Sequence, residues 1–123
     1  VSEMLRGGKE VILGVTYDRT FGHMIMVGLG GIYVEVLKDV SFRIVPVRRR
    51  DAQTMVNALR TAGLLEGARG ERPADIDALV SAIVNLSVLI ADFPEILELD
   101  INPLMVMEHG AVAVDGRIIF KRE

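Results

Sequence analysis

The stretch LELDINPL at residues 97–104, with the residues that follow it to Asp115, decides the fold of this chain. Alternation of polar and apolar residues predicts a β-strand with two faces. One face carries Asp100, Asn102 and Leu104, and the other carries Leu99, Ile101 and Met105. Residues 108–110, Glu-His-Gly, supply a turn because glycine readily adopts a positive φ. Residues 111–115 then return as the second strand of a β-hairpin.

This hairpin brings oxygen-bearing side chains together at one end of an apolar ribbon. Folding about the turn places Asp115 roughly opposite Asn102, close to Asp100. A few carboxylate and amide oxygens suit Mg²⁺, because this ion usually takes waters and substrate phosphates as its other ligands. The spacing therefore suggests a Mg²⁺–nucleotide site. It equally allows a structural interpretation, in which Asp100 and Asn102 end a strand before Pro103 and Asp115 starts a turn.

Composition excludes several classes of function. The chain has 123 residues, which suits one domain, and half of them are hydrophobic. Its formal charge of −3 gives no indication of nucleic-acid binding, and the lack of cysteine excludes disulfide scaffolds, thiolate metal sites and cysteine nucleophiles. No signal peptide or spanning segment is visible, so we expect a cytoplasmic protein without membrane contact. Since the chain starts with Val1 in what looks like a strand, we expect a piece of a larger protein.

The first part of the chain is typical of an antiparallel meander joined by short connections. Its runs of β-branched and other apolar residues are bounded by Gly-containing turns. The predicted strands cover residues 1–5, 9–18, 23–27, 32–37 and 40–47. Met24, Met26, Met105 and Met107 are interpreted as filling for the core of the sheet.

Two helices follow the meander. Residues 51–62 have apolar residues at helical spacing, begin after the solvated corner Arg48-Arg49-Arg50 and stop at Gly63. After a Gly- and Arg-containing loop, Asp75 can cap a helix over residues 76–91. The order of β-meander, helices and β-hairpin predicts an α+β fold, in which two main helices pack on a mostly antiparallel sheet over residues 1–123 as a single partial domain.

Four motifs in fixed order carry a resemblance to a known family. They are GLGGIYVEVLKDVSFR at 28–43, LLEGARG at 64–70, ELDINPL at 98–104 and VAVDGR at 112–117. In these motifs the chain resembles the C-terminal lobe of the ATP-grasp domain of NDP-forming acyl-CoA synthetases, and more distantly the β-subunit of succinyl-CoA synthetase. The resemblance implies that acyl-CoA and phosphate become free acid, CoA and a phosphorylated enzyme histidine, which then phosphorylates ADP.

The resemblance also implies roles for individual residues. Asn102 and Asp115 match the family's Mg²⁺ ligands, with Asp100 at the acidic position two residues before the Asn, and the nucleotide is ATP or ADP. Glu3 matches the strand that contacts the adenine. Gly28, Gly30 and Gly31 would let the backbone approach a phosphate or a partner loop. Arg69, flanked by glycines, can clamp a phosphate, or it is a solvated loop arginine. The alternation of side chains along the two strands does not decide whether Glu10 or Glu35 faces the cleft.

Other parts of the sequence depart from the family pattern. The first ATP-grasp lobe, the CoA-binding domain and the phosphohistidine domain have no counterpart in this sequence, so CoA, acid and phosphohistidine are expected to come through other domains or subunits. His23 and His109 match no phosphohistidine and are interpreted as strand-surface and turn residues. Arg48 replaces a helix-capping Thr, which weakens the helix start by about 1 kcal/mol.

Two classes of function stay open at this point. The first is the nucleotide-binding lobe of an NDP-forming acid–CoA ligase. The second is a non-catalytic regulatory or assembly module, as in synthetase-like regions fused to acetyltransferases. The sequence retains all three oxygen-bearing residues of the expected metal site, which favours the first class. In either case the cleft side is expected to expose an apolar surface that could pair two copies of the chain.

Overall fold

The structure is a computed structural model that describes residues 8–29, 40–59 and 75–120. The predicted strands at 1–5 and 32–37 and the predicted loop at 64–73 lie outside these residues, whereas the helix predicted at 51–62 is shown to begin at Arg49 and to end at Asn57. The described strands and helices, in chain order, are β1 (Lys9–Asp18), β2 (Gly22–Leu29), β3 (Val40–Ile44), α1 (Arg49–Asn57), α2 (Ile76–Asp92), β4 (Ile96–Val106), β5 (Ala111–Ala113) and β6 (Gly116–Phe120).

The strands form one antiparallel sheet in the order β3-β2-β1-β4-β5, and β6 also pairs with β4. Strand β4 is long enough to pair with β5 along its second half and with β6 along its first half. The α+β fold predicted from the sequence is confirmed. No helix in the described ranges is long and apolar enough to cross a membrane.

The core lies between one face of the sheet and the two helices. Every second residue of β1 and β2 is buried there because side chains alternate across a strand. The apolar stripe of α2 packs onto the same face, as its helical spacing predicts. Members of this core include Val11, Leu13, Val15, Ile25, Val27, Met55, Leu79, Val80, Ile83, Ile90 and Leu99.

The opposite face of the sheet, which we call the open face, carries the alternate residues. One row crosses it from strand to strand through direct Cα partners: Phe42, Met26, Gly14, Asp100 and Arg117. The interpretation of the methionines as core filling is wrong for Met24 and Met26 for this reason, whereas Met105 is buried. Met26 and its neighbour Met24 alternate with core residues of β2 and are only partly buried on the open face.

A β-bulge in β4 reverses the predicted facing of Leu104 and Met105, and Met105 pairs with Glu10 on the open face. Val11 pairs with Leu104 and Leu13 pairs with Ile101, so β4 has one residue more than β1 between these pairs. The extra residue reverses the alternation after Asn102. Leu104 therefore joins the core with only 5% of its side chain exposed, while Asp100 and Asn102 stay on the open face.

Helix α1 begins without a side-chain cap. Arg48 is the N-cap residue, and its guanidinium has no acceptor atom to offer the free N–H groups of the first turn. The Arg48 N–H donates to Asp51 Oδ2 at 3.1 Å, so only the reverse half of a capping box is present. All three arginines of the corner are exposed, as expected from the sequence.

We expect Arg48→Thr to stabilise the chain. A threonine hydroxyl can accept a hydrogen bond from the first turn of α1, which should raise the free energy of unfolding by about 0.5–1 kcal/mol. Urea denaturation of the two proteins measures the difference. Arg48→Ala is the control because it removes the arginine without adding an acceptor, and equal stability of the Thr and Ala variants would contradict the capping argument.

Helix α2 is tied to the hairpin loop through its N-cap residue. Asp75 Oδ1 accepts from Ala78 N–H at 3.0 Å, and Oδ2 accepts from Gly110 N–H at 2.7 Å. The Asp75 N–H in turn donates to the carbonyl of Met107. The Gly110 and Ala78 N–H groups hold the pKa of the Asp75 carboxyl below its usual range, with the Gly110 bond contributing most. The predicted cap is confirmed.

This lowered pKa predicts a loss of stability in acid. Below about pH 4 the unfolded state binds a proton at Asp75 before the folded state does, so the free energy of unfolding falls as the pH falls through the folded-state pKa. Asp75→Asn keeps a capping oxygen but cannot titrate. Urea denaturation from pH 5 down to pH 2.5 should show a steeper decline for the wild type than for the variant, and parallel curves would contradict this account.

Strand β6 was not predicted from the sequence. The expected return strand at 111–115 is confirmed in its first part, β5, but the chain turns at 114–115 and β6 continues the pairing along β4. The run Arg117-Ile118-Ile119-Phe120 has high β propensity and was the available signal. This second strand is what closes one side of the site described next.

Candidate functional site

An open pocket of about 330 Å³ lies on the open face where β4 meets β6. Its lining consists of Asp100, Asn102, Asp115, Gly116 and Arg117. The structure thus brings together the three oxygen-bearing side chains that the spacing of the hairpin placed near one another. It adds an arginine to which the sequence reasoning gave no role.

The β4 bulge and the β5–β6 turn position these side chains. Asp100 and Asn102 are two residues apart on β4 and therefore share a face before the bulge. Asn102 N–H donates to the Asp115 carbonyl at 3.2 Å, which fixes the turn against the strand. The expectation that Asp115 lies opposite Asn102 is therefore confirmed.

The structural interpretation of these residues accounts for only part of what is observed. Strand β4 does not end at Pro103 but continues to Val106, so Asp100 and Asn102 do not mark a strand terminus. Asp115 Oδ1 does accept a local hydrogen bond from Gly116 N–H at 2.9 Å, as a turn residue would. Within the described ranges, the side chains of Asp100 and Asn102 form no hydrogen bond or ion pair, which leaves their oxygens available to a ligand.

The donor set fits a Mg²⁺ ion that is shared with a ligand. Two carboxylates and one amide supply hard oxygen atoms, and they leave coordination positions for phosphate oxygens and water. No group of three or more His, Cys, Asp or Glu side chains that could hold a metal occurs in the part of the chain that the structure describes.

Apolar side chains occupy the far side of the open face. A second depression of about 400 Å³ lies at the β3 edge, where Met24, Phe42 and Ile44 of the open face meet Arg43 and Asp51 of the helix side. Phe42 and Ile44 keep 45% and 47% of their surface exposed. Gly14 lies between the two halves, and a Cβ there would meet only Met26 Cε and the Leu99 carbonyl at 3.5 and 3.7 Å. The open face is thus apolar at one end and charged at the other.

The remaining predicted site residues lie elsewhere. Gly28 is buried in β2 opposite Ile12, two inter-strand spacings or about 10 Å from the bulge at Asn102, and does not line the pocket. Glu10 pairs with Met105 and is exposed on the open face, which settles its direction. Glu3, Gly30, Gly31, Glu35 and Arg69 lie outside the described residues.

Neither histidine belongs to the pocket. His109 is almost fully exposed in the turn, as expected. His23 is half-buried in β2, where its Nε2 lies 2.7 Å from the Ile96 carbonyl and its ring meets Tyr17 edge-on at 5.0 Å. These contacts give His23 a structural role between β2 and β4.

Comparison with known proteins assigns nearly the whole chain to the family that its sequence motifs resemble. The family described as an ATP-grasp domain matches residues 1–120. The chain is 51% identical to acetate–CoA ligase [ADP-forming] I of Archaeoglobus fulgidus, over all of this chain and 18% of that protein. It is also 51% identical to acetate–CoA ligase [ADP-forming] II subunit beta of Pyrococcus furiosus, over 98% of this chain and 52% of that subunit.

Solved structures agree with the sequence comparison. A dinucleotide-forming acetyl-coenzyme A synthetase 1 of Ca. Korarchaeum cryptofilum, in complex with coenzyme A and Mg-AMPPCP, superposes with a TM-score of 0.88. It is 39% identical, and the match covers 93% of this chain and 54% of that one. In each of these comparisons the chain spans about half of its relative's length or less.

Proposed function

Since this chain belongs to the ATP-grasp domain family, we propose that it forms the nucleotide- and Mg²⁺-binding lobe of an NDP-forming acid–CoA ligase. The observation that carries the proposal is the grouping of Asp100, Asn102 and Asp115 around one open pocket. The names of its relatives, which are ADP-forming acetate–CoA ligases, supply the reaction class.

The proposed reaction transfers one phosphoryl group in two stages. Acyl-CoA and phosphate give free acid, CoA and a phosphorylated histidine, and the phosphoryl group then passes from that histidine to ADP to give ATP. In the second stage a bound Mg²⁺ supplies charge neutralisation at the phosphate oxygens. Asp100, Asn102 and Asp115 would hold the ion, while Met26 and Phe42 give the base an apolar surface.

Gly14 supports this arrangement of the nucleotide. A glycine inside a strand often marks a place where a ligand comes close to the backbone. Here it lies between Met26 and Asp100 in the row that crosses the open face. A base over the apolar end, a ribose near Gly14 and phosphates beside Asp100 would follow this row, with the Met26 side chain lying over the buried Gly14.

The other functions of the ligase belong to partners in this proposal. CoA, the acid and the phosphohistidine come through further domains or subunits, just as the Pyrococcus relative is named as one subunit of its enzyme. The exposed Phe42 and Ile44 suit contact with another lobe. In the isolated chain we expect the same surface to pair two copies, and light scattering that shows only monomers would contradict that expectation.

Calorimetric titration of the complete enzyme with ADP, with and without Mg²⁺, tests the proposal. Wild-type enzyme should bind MgADP more tightly than ADP alone. Asp100→Asn should remove the dependence on Mg²⁺, because it replaces a metal-binding carboxylate. Glu98→Gln is the matched control, since Glu98 is an exposed acid on the same strand that does not line the pocket.

The outcomes of this titration separate the two classes of function. An intact Mg²⁺ dependence in Asp100→Asn would remove the pocket from the metal site. A wild-type enzyme that binds no nucleotide would overturn the proposal and would favour a non-catalytic assembly module.

A further inference from the structure

We propose that Arg117 binds the outermost phosphate of the nucleotide and thereby distinguishes a diphosphate from a monophosphate. This inference rests on the proposed function, because it places the phosphate chain in the pocket beside Asp100. It concerns a residue outside the metal-ligand set, on the strand that the sequence did not predict.

The position of Arg117 is fixed by strand pairing. Its direct Cα partner across β4 and β6 is Asp100, so both side chains stand on the open face and both line the pocket. Gly116, just before it, leaves this corner uncrowded, since even an added Cβ would come no closer than 3.6 Å to the Asp100 carbonyl. Pairing of β6 with β4 therefore places the guanidinium at the pocket.

Arg117 does not use Asp100 as its counterion. Opposite charges directly across two antiparallel strands usually attract each other. In the described ranges, however, the ion pairs that are found do not include Arg117. The guanidinium and the carboxylate instead flank the same open volume, which is what a site for a third charged group requires.

The charge balance of the pocket identifies the kind of ligand. Asp100 and Asp115 contribute two negative charges and Arg117 contributes one positive charge. A divalent cation at the carboxylates would reverse the net sign from −1 to +1 and make the pocket attractive to an anion. A guanidinium presents a planar fork of N–H donors that matches two oxygens of one phosphate.

The row across the open face indicates which phosphate this is. Arg117 ends the row that runs from Met26 through Gly14 and Asp100, three inter-strand spacings or about 14 Å away from Met26. A nucleotide with its base at the apolar end reaches Arg117 only with the far end of its phosphate chain. A monophosphate would stop near Asp100.

The test compares ADP and AMP binding to the complete enzyme by calorimetry in the presence of Mg²⁺. Arg117→Gln should weaken ADP binding by about 10- to 100-fold, as expected for a lost charge-assisted hydrogen bond, and should change AMP binding by less than about threefold. Arg117→Lys keeps the charge but not the fork and should fall in between. Arg48→Gln, which removes the same charge at the start of α1, should leave both affinities unchanged.

Each result decides between distinct conclusions. Equal ADP binding by wild type and Arg117→Gln would overturn the role of Arg117 while leaving the proposed function intact. Equal losses for ADP and AMP would also overturn it, because the effect would not depend on the outer phosphate. A wild-type enzyme that binds neither nucleotide would instead refute the proposed function itself. If Arg117→Gln fails to fold, Arg117→Lys decides the question. A selective loss of ADP affinity in Arg117→Lys would support the proposal, and unchanged ADP affinity would overturn it.

Discussion

On the proposed function, Asn102→Ala is expected to lower the turnover number of the complete enzyme by at least about a hundredfold. The variant loses the amide oxygen that is proposed to bind Mg²⁺, and the alanine side chain has no oxygen atom to replace it. The fold should not change, because the side chain is exposed and makes no hydrogen bond to the described part of the chain. Steady-state kinetics at increasing Mg²⁺ concentrations, together with urea denaturation, measure both effects.

The Mg²⁺ dependence separates loss of the metal from loss of structure. We expect the apparent Mg²⁺ requirement to rise in Asn102→Ala while the urea midpoint stays within error of the wild type. Glu98→Gln, on the same strand but outside the pocket, should keep normal kinetics. Wild-type turnover by Asn102→Ala at ordinary Mg²⁺ concentrations would show that this residue is not part of the mechanism.

Leu13→Ala is expected to lower the free energy of unfolding by about 3–5 kcal/mol. Leu13 is fully buried in β1, which lies in the sheet between β2 and β4. Its removal would leave a cavity between the sheet and the helices that the neighbouring strands cannot close. Urea denaturation of the purified chain measures the loss.

Thr16 in the same strand is the matched control. It is exposed on the open face, so Thr16→Ala should change the free energy of unfolding by no more than about 0.5 kcal/mol. The contrast tests the assignment of the two sheet faces. Similar losses for Leu13→Ala and Thr16→Ala would mean that the core does not lie where we place it.

Most of the fold could be predicted because local patterns agree with the final structure. The alternation in β1 and the helical spacing in α2 each identify one buried face, and Asp75 marks the helix start. The facing of Leu104 could not be predicted, since a bulge in β4 depends on how that strand pairs with β1. The methionines of β2 were misplaced because apolar residues occur on both faces of that strand.

The candidate site shows the same division between local and non-local information. Asp100, Asn102 and Asp115 come together through one hairpin, so their spacing alone suggested the grouping. Arg117 enters the pocket only because β6 pairs with the first half of β4. Gly28 was predicted to let the backbone approach a phosphate or a partner loop, and in the sheet β1 lies between it and the pocket.

The most direct test of the central claim is to locate a bound nucleotide on the chain itself. Two-dimensional ¹⁵N NMR of the labelled 123-residue chain, with millimolar ADP and trace Mn²⁺ replacing Mg²⁺, would detect even weak binding. We predict that paramagnetic broadening is strongest at the amides of Asn102 and Gly116, extends to Gly14, and spares Ala52 in the helix layer. Broadening centred on the helices, or none at these pocket amides, would contradict the claim that the open face holds the Mg²⁺–nucleotide site.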